Sequence, residues 1–302
     1  MTVKQSPAIR LCAGLLLCLI AAPAAYADDS MIDLPAVDQG KLLATSGVSQ
    51  IEGASGGGLV PWSTIAGYGT RDAVGFNIHE TYVRTGDYSL NAPGLAIGLY
   101  DRVELSYASD LFDTGSTGGK LGIGNGYTFR TDVFGAKLKL VGDLVYDQDT
   151  LLPQIAIGLQ YKDNHNRPLV RALGARDSAG LDYYVSATKL FLAQSLLVDA
   201  TLRMTRANQF GLLGFGGDRN NDYQPEFEGS AALLLSKKLA VGAEYRTKPN
   251  NLGFAKEQSA FDVFAAYFIT KNVSATLAYV DLGSIATFKN QRGVYASLQL
   301  GF

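Results

Sequence analysis

Residues 293–302 read GVYASLQLGF. Val294, Ala296, Leu298, Leu300 and Phe302 are apolar, while Gly293, Tyr295, Ser297, Gln299 and Gly301 lie between them. Strict period-two alternation marks a strand with one face in an apolar phase and the other turned to polar groups. Terminal residues usually fray, because ordering them gains little contact. A strand that keeps its alternation through Phe302 needs a partner there, and a sheet closed on itself supplies one.

The same grammar recurs upstream. In QIAIGLQYK, 154–162, Ile155, Ile157, Leu159 and Tyr161 oppose Ala156, Gly158, Gln160 and Lys162. Over 196–205, Leu196, Val198, Ala200, Leu202 and Met204 oppose Leu197, Asp199, Thr201, Arg203 and Thr205. Short links at Tyr100-Asp101-Arg102, Ser236-Lys237-Lys238 and Thr270-Lys271-Asn272 alternate with long polar ones at 110–126, 163–181, 207–222, 249–259 and 282–292. Tight turns at one end and long loops at the other are what a barrel inserted from one side of a membrane requires. The fold class read from this is all-β: a transmembrane antiparallel up-and-down barrel. Twelve strands follow from the alternating segments, or fourteen if 41–52 and 59–68 add a hairpin around GASGGG; residues 41–72 are alternatively a partial plug. With 34 Gly, 16 Tyr and 14 Phe but one Trp, the composition favours strands and turns. No apolar run after the first 27 residues reaches the length of a membrane helix.

Lys4 and Arg10, the apolar run 11–22 and Ala25-Tyr26-Ala27 have the form of a cleaved secretory signal over residues 1–27. A periplasmic segment, 28–40, follows, and the barrel occupies 41–302. Both cysteines, Cys12 and Cys18, fall in the signal, so the exported chain has neither disulfides nor thiolate metal sites. The acids already outnumber the bases, 28 to 26, and losing Lys4 and Arg10 widens the gap. That balance gives no support to a nucleic-acid partner, and none is expected.

The ending GVYASLQLGF resembles the C-terminal strand of Gram-negative outer-membrane barrel proteins, in which Val294, Ala296, Leu298, Leu300 and Phe302 would form the signal read by the barrel-assembly machinery. The resemblance implies residence in the outer membrane, among its lipids. Residues 40–72 also resemble the start of an uncharacterised proteobacterial family, which implies no activity.

The polar faces supply candidate lumen and selectivity residues: Lys137, Lys139, Lys162, Asp199, Arg203, Glu244, Arg246 and Asp262. If these charges separate onto opposite walls, the barrel is a passive channel for small polar solutes, selective through its field. If they pair across the lumen, it is a non-conducting scaffold or surface-interaction protein. Arg167, Arg171 and Arg176 in the loop 163–180 either fold inward as a constriction or contact anionic lipopolysaccharide.

No catalytic, cofactor or metal site is legible. Lipid hydrolysis needs an oriented His beside its nucleophile, and the chain has two His. His79 shares the expected lumen face with Asn77 and Thr81, and His165 sits in a loop between two asparagines. Glu80 falls on the lipid side of its strand, where only a rim position or a register change would accommodate it. GSTGGKL, 115–121, lacks the first Gly and the Ser or Thr of a phosphate loop. The run Asp218–Asp222 opens like a calcium loop but has Tyr223 and Gly229 where Gly and Glu are needed.

Overall fold

The computed structural model describes residue 41, residues 46–147 and residues 149–302. The expected export signal over 1–27 and the periplasmic segment 28–40 lie outside the described residues. Two short strands, β1 (Val48–Ser49) and β2 (Ser55–Gly56), pair with each other and not with the barrel wall. The wall begins with β3 (Val74–Thr85), β4 (Ser89–Leu99), β5 (Val103–Asp113) and β6 (Thr128–Val141). It continues with β7 (Gln154–Asn164), β8 (Ala179–Phe191), β9 (Leu196–Thr205) and β10 (Gln224–Ser236). It ends with β11 (Leu239–Arg246), β12 (Ala260–Phe268), β13 (Val273–Asp281) and β14 (Arg292–Gly301).

Each strand pairs antiparallel with the next, and β14 closes on β3, from Gly293 opposite Thr85 to Gly301 opposite Asn77. The final residue is tied in: the Phe302 backbone N–H donates to the Phe76 carbonyl at 2.9 Å, and its own carbonyl accepts from Tyr68 and Phe76. Its ring stacks on Phe76, centroids 4.8 Å apart. Closure leaves no unpaired edge, the condition for strands in hydrocarbon, where an unsatisfied backbone group costs several kcal/mol.

Polarity runs inside out. Leu277 is 66 % exposed and Val263 56 %, while Lys162 and Arg203 are buried. Sealing a large aliphatic side chain away from water is worth about 1.5–3 kcal/mol, so an outer face of Phe76, Ile78, Leu95, Leu105, Phe134, Leu159 and Val185 demands an apolar medium. Tyr161, Tyr183, Tyr245 and Tyr279 stand outward near the long-loop ends and Tyr267 near the turn end, as interfacial girdles do. Among the described residues no helix is long and apolar enough to cross a membrane; the strands cross instead.

The wall has twelve strands, and the hairpin considered over 41–52 and 59–68 is not among them. A spanning strand needs about 9–11 residues, and the run from Gly56 to Pro61 interrupts that stretch, leaving the two-residue β1–β2 ladder. The separation of short and long links is also incomplete. The β3–β4 connection at Gly86–Tyr88 is tight although it lies at the long-loop end, and 142–153 is long although it lies at the turn end. The latter segment is held under the mouth: the Lys189 ammonium donates to the Asp147 and Leu152 carbonyls at 2.8 and 3.1 Å, and Leu144 is buried. Glu80 is neither at a rim nor shifted in register; it faces outward in mid-strand, opposite Pro93 on one side and Leu298 on the other.

Candidate functional site: the lumen and the segment inside it

Every residue from Ser46 to Gly69 is buried. This segment fills the lumen; beyond the β1–β2 ladder and a few turn bonds of its own, its backbone is satisfied by side chains of the wall. Lys137 donates to the Ser55 and Thr64 carbonyls at 2.9 and 2.8 Å and pairs with Glu104 at 3.1 Å. Glu104 in turn accepts from the Ser55 and Ala66 N–H groups, at 3.1 and 2.9 Å. Thr188 accepts from the Ser63 N–H at 2.8 Å while donating to Asp199 at 2.6 Å, and the Thr201 hydroxyl lies 3.0 Å from both the Pro61 carbonyl and Asp199, its one proton serving either. Asp199 therefore orients the Thr188 hydroxyl toward the segment.

The motif GASGGG finds its reason at Glu244. Its carboxylate accepts the Leu59 N–H at 2.6 Å and the Ser230 hydroxyl at 2.7 Å, and the Trp62 indole N–H donates to the same Ser230 at 2.9 Å. A Cβ on Gly57 would lie 1.9 Å from Glu244 Oε1, so only glycine lets the backbone wrap the carboxylate as an anion-binding nest. Asp262 stands directly opposite Glu244 on β12, near Gly58.

The second anchor is Glu52. It pairs with Lys162, with Arg246 at 2.8 Å and with Arg203 at 3.9 Å. Burial pushes its carboxyl up, but Arg246, Lys162 and Arg203 together outweigh that and hold it well below the usual carboxylate range. The cations are shared with the wall: Arg203 pairs with Glu228 at 2.5 Å and Asp182 at 3.6 Å, Arg246 with Glu228 at 3.1 Å, and Lys162 with Asp182 at 2.8 Å. At the mouth on the Tyr100–Arg102 turn side Lys139 and Lys41 both pair with Asp101, and Lys41 also donates to the Ile65 carbonyl at 2.9 Å. A cavity of about 340 Å³ opens there, lined by Lys41, Thr64, Arg71, Asp101 and Asp143 among others.

All eight expected lumen residues thus face inward, but Lys137, Lys139, Lys162, Asp199, Arg203, Glu244, Arg246 and Asp262 are buried side chains rather than the lining of an open pore. His79 is inward and buried, as its parity required. Arg167, Arg171 and Arg176 form no constriction: all three are exposed, Arg167 pairing with Asp163 at 3.1 Å. The loop that turns inward is 206–217. Asn208, Gln209 and Phe210 are buried, and the Phe210 carbonyl accepts from Lys162 at 3.2 Å. The helical turn Arg167–Ala172 stays outside because only its Val170 is buried, against the inward loop at Gly214. In the barrel lacking residues 46–69, replacing Arg167, Arg171 and Arg176 together by Gln is expected to leave single-channel conductance unchanged. A raised conductance would return the constriction to that loop.

Sequence reasoning missed Glu52 and Glu104. Glu52 ends the stretch 41–52 that reads either as a hairpin strand or as part of a plug, and Glu104 lies in a strand whose inward parity is readable. The glycine run next to Leu59 was the available signal for a buried, side-chain-bonded segment.

On the outer face of β5 and β6, Asp132 accepts from Ser109 at 2.8 Å and contacts the His165 ring nitrogen at 2.8 Å, with Arg130 at 3.1 Å.

A family model described as protein of unknown function (DUF3034) matches residues 45–299. No curated protein matches the chain. Among solved structures, the KdgM porin resembles it with a TM-score of 0.49 at 10 % identity, covering 75 % of this chain and 99 % of that one. The COG4313 outer membrane channel from Pseudomonas putida F1 gives 0.48 at 11 %, covering 78 % and 95 %. Outer membrane phospholipase A from Escherichia coli gives 0.41 at 11 %, covering 75 % and 92 %. These likenesses transfer no activity to the chain.

Proposed function

The chain belongs to the DUF3034 family, and from that premise we propose that it is a channel of the Gram-negative outer membrane for small polar solutes, closed in this conformation by residues 46–69. The observation that carries the reading is the polarity of the surface the segment covers. Lys137, Lys162, Arg203 and Arg246, with Glu104, Glu244 and the hydroxyls of Thr188 and Thr201, hold the segment through ion pairs and hydrogen bonds that water can replace when it leaves. A permanent core gains nothing from such groups, since well-packed apolar residues in place of a buried ion pair are often as stable or more so. Opened, the wall would present both signs of charge to a hydrated path.

The test is single-channel recording in planar bilayers of refolded 28–302 and of the same chain lacking 46–69, each first shown folded by a heat-shift gel. The intact chain is expected to be mostly silent and the shortened one to conduct in discrete steps. A folded, shortened barrel that stays silent overturns the channel reading.

A second reading, a non-conducting scaffold, is favoured by one observation: Arg203, Arg246 and Lys162 also pair with Glu228 and Asp182 of the wall itself. The same recording decides between them. Catalysis is not part of the proposal. A lipid hydrolase needs the imidazole against the serine hydroxyl, whereas Asp132 stands between Ser109 and His165. The exposed Arg167, Arg171 and Arg176 at the extracellular rim suit the phosphates of lipopolysaccharide, and the strand ending in Phe302 suits the barrel-assembly machinery.

A further inference from the structure

Above the tip of the segment, on the β3–β5 and β13–β14 side of the lumen, the chemistry changes. A pocket there is lined by Leu90, Phe112, Val280, Tyr295, Phe210 and Tyr88, all buried. Its free volume is about 30 Å³, room for water-sized guests only. Two features single it out from ordinary packing. The Tyr88 hydroxyl is buried without a hydrogen-bond partner, a costly arrangement that a guest with a polar atom relieves. Burial, with Asp87 beside it, raises the titration of that phenol, so it stays protonated and able to donate. The roof is the turn Gln209–Phe210, two successive non-glycine residues in the left-handed region, at φ +46° and +61°. Such backbone strain persists where neighbours over-determine it, and it clusters at ligand clamps. Here the holding contacts are the Arg246 guanidinium, 4.3 Å from the Phe210 ring centroid, and the Lys248 ammonium at 5.4 Å.

We propose that this pocket binds a small molecule built of one aromatic ring and a hydroxyl. Its ring takes the place of the Phe210 side chain between Leu90, Phe112 and Val280, and its hydroxyl meets that of Tyr88. Phe210 is then a built-in occupant that must swing out for the guest to enter. The inference deepens the channel reading by placing a ring-bearing solute at the extracellular mouth of the path. It is tested by binding alone, so the two fail separately.

The probes are 4-fluorophenol and fluorobenzene, followed by ¹⁹F NMR with the refolded 28–302 chain in detergent, where bound and micelle-dissolved signals separate. Phe210→Ala is expected to show a saturable bound signal for both probes and to bind more tightly than the unaltered chain. Adding Tyr88→Phe is expected to weaken 4-fluorophenol by about two- to tenfold, the worth of one hydrogen bond, and to leave fluorobenzene unchanged. Only micelle-dissolved signal in the folded chain and in folded Phe210→Ala overturns the proposal. An equal effect of Tyr88→Phe on both probes also overturns it.

Discussion

Replacing Glu52 by Gln is expected to unseat the lumen segment. Gln keeps the shape of the side chain but removes the charge that Lys162, Arg203 and Arg246 surround. Breaking a buried ion pair from one side costs about 3–5 kcal/mol, because it leaves the other charge uncompensated. On the seated-to-released equilibrium that is a factor of roughly one hundred to several thousand. The chain has a single tryptophan, Trp62, and it sits in this segment, buried. Its emission should shift to the red and become quenchable by acrylamide in Glu52→Gln, while the heat-shift gel still shows a folded barrel. The effect also has a pH signature. Glu52 titrates below its unfolded value, so its contribution is fully present above the unfolded pKa of about 4.3 and is lost only as the pH falls through the depressed one. The difference between the two proteins should therefore hold constant from pH 7 to pH 5. An unshifted Trp62 would mean that the segment is held elsewhere.

The second large effect is expected from Gly57→Val. The new Cβ would lie 1.9 Å from Glu244 Oε1 and 2.4 Å from its Cδ. Glu244 cannot step aside cheaply: it is buried, and moving it forfeits the bonds to Leu59 and Ser230. Either the carboxylate loses its partners or the segment leaves, and the segment is the part not built into the ladder of the wall. The Trp62 emission should report release, and the intact chain should acquire the conductance of the shortened one. Gly86→Val is the matched control, since nothing lies within 4 Å of a Cβ there; it should change neither. A silent channel with buried Trp62 in Gly57→Val would sink the nest at Glu244.

These two positions also show where the sequence speaks and where it stops. Alternation settled the parity of every lumen residue it was applied to, from Lys137 on β6 to Asp262 on β12, because a pleated strand leaves no choice of face once its neighbours are fixed. It required the strand running to Phe302 to pair with the first strand of the wall, and Phe302 does meet Phe76 there. It said nothing of what Lys162 or Arg246 would meet, because Glu52 is over a hundred residues from either and has no register of its own. The glycines from Gly56 to Gly58 read as a turn, since backbone permissiveness looks the same whether a hairpin or a carboxylate demands it. The loops were misassigned for a related reason. The three arginines of 163–180 draw attention by charge, whereas 206–217 turns inward through glycines and the buried amides of Asn208 and Gln209, which carry no periodic signal.

The ties at Phe302 have a consequence for assembly. Its carbonyl receives both the Tyr68 N–H, where the lumen segment comes out, and the Phe76 N–H, at the start of the wall. Lys41 is fastened at the same mouth, to Asp101. Described this way, the segment is a bight rather than a thread: it goes in and returns through one opening. A chain passing through a closed ring could be placed only before the ring shut, and native topologies avoid such threading. A bight can be fed in after β14 has zipped to β3, withdrawn and fed in again, so the seam and the stopper can form in either order without undoing each other.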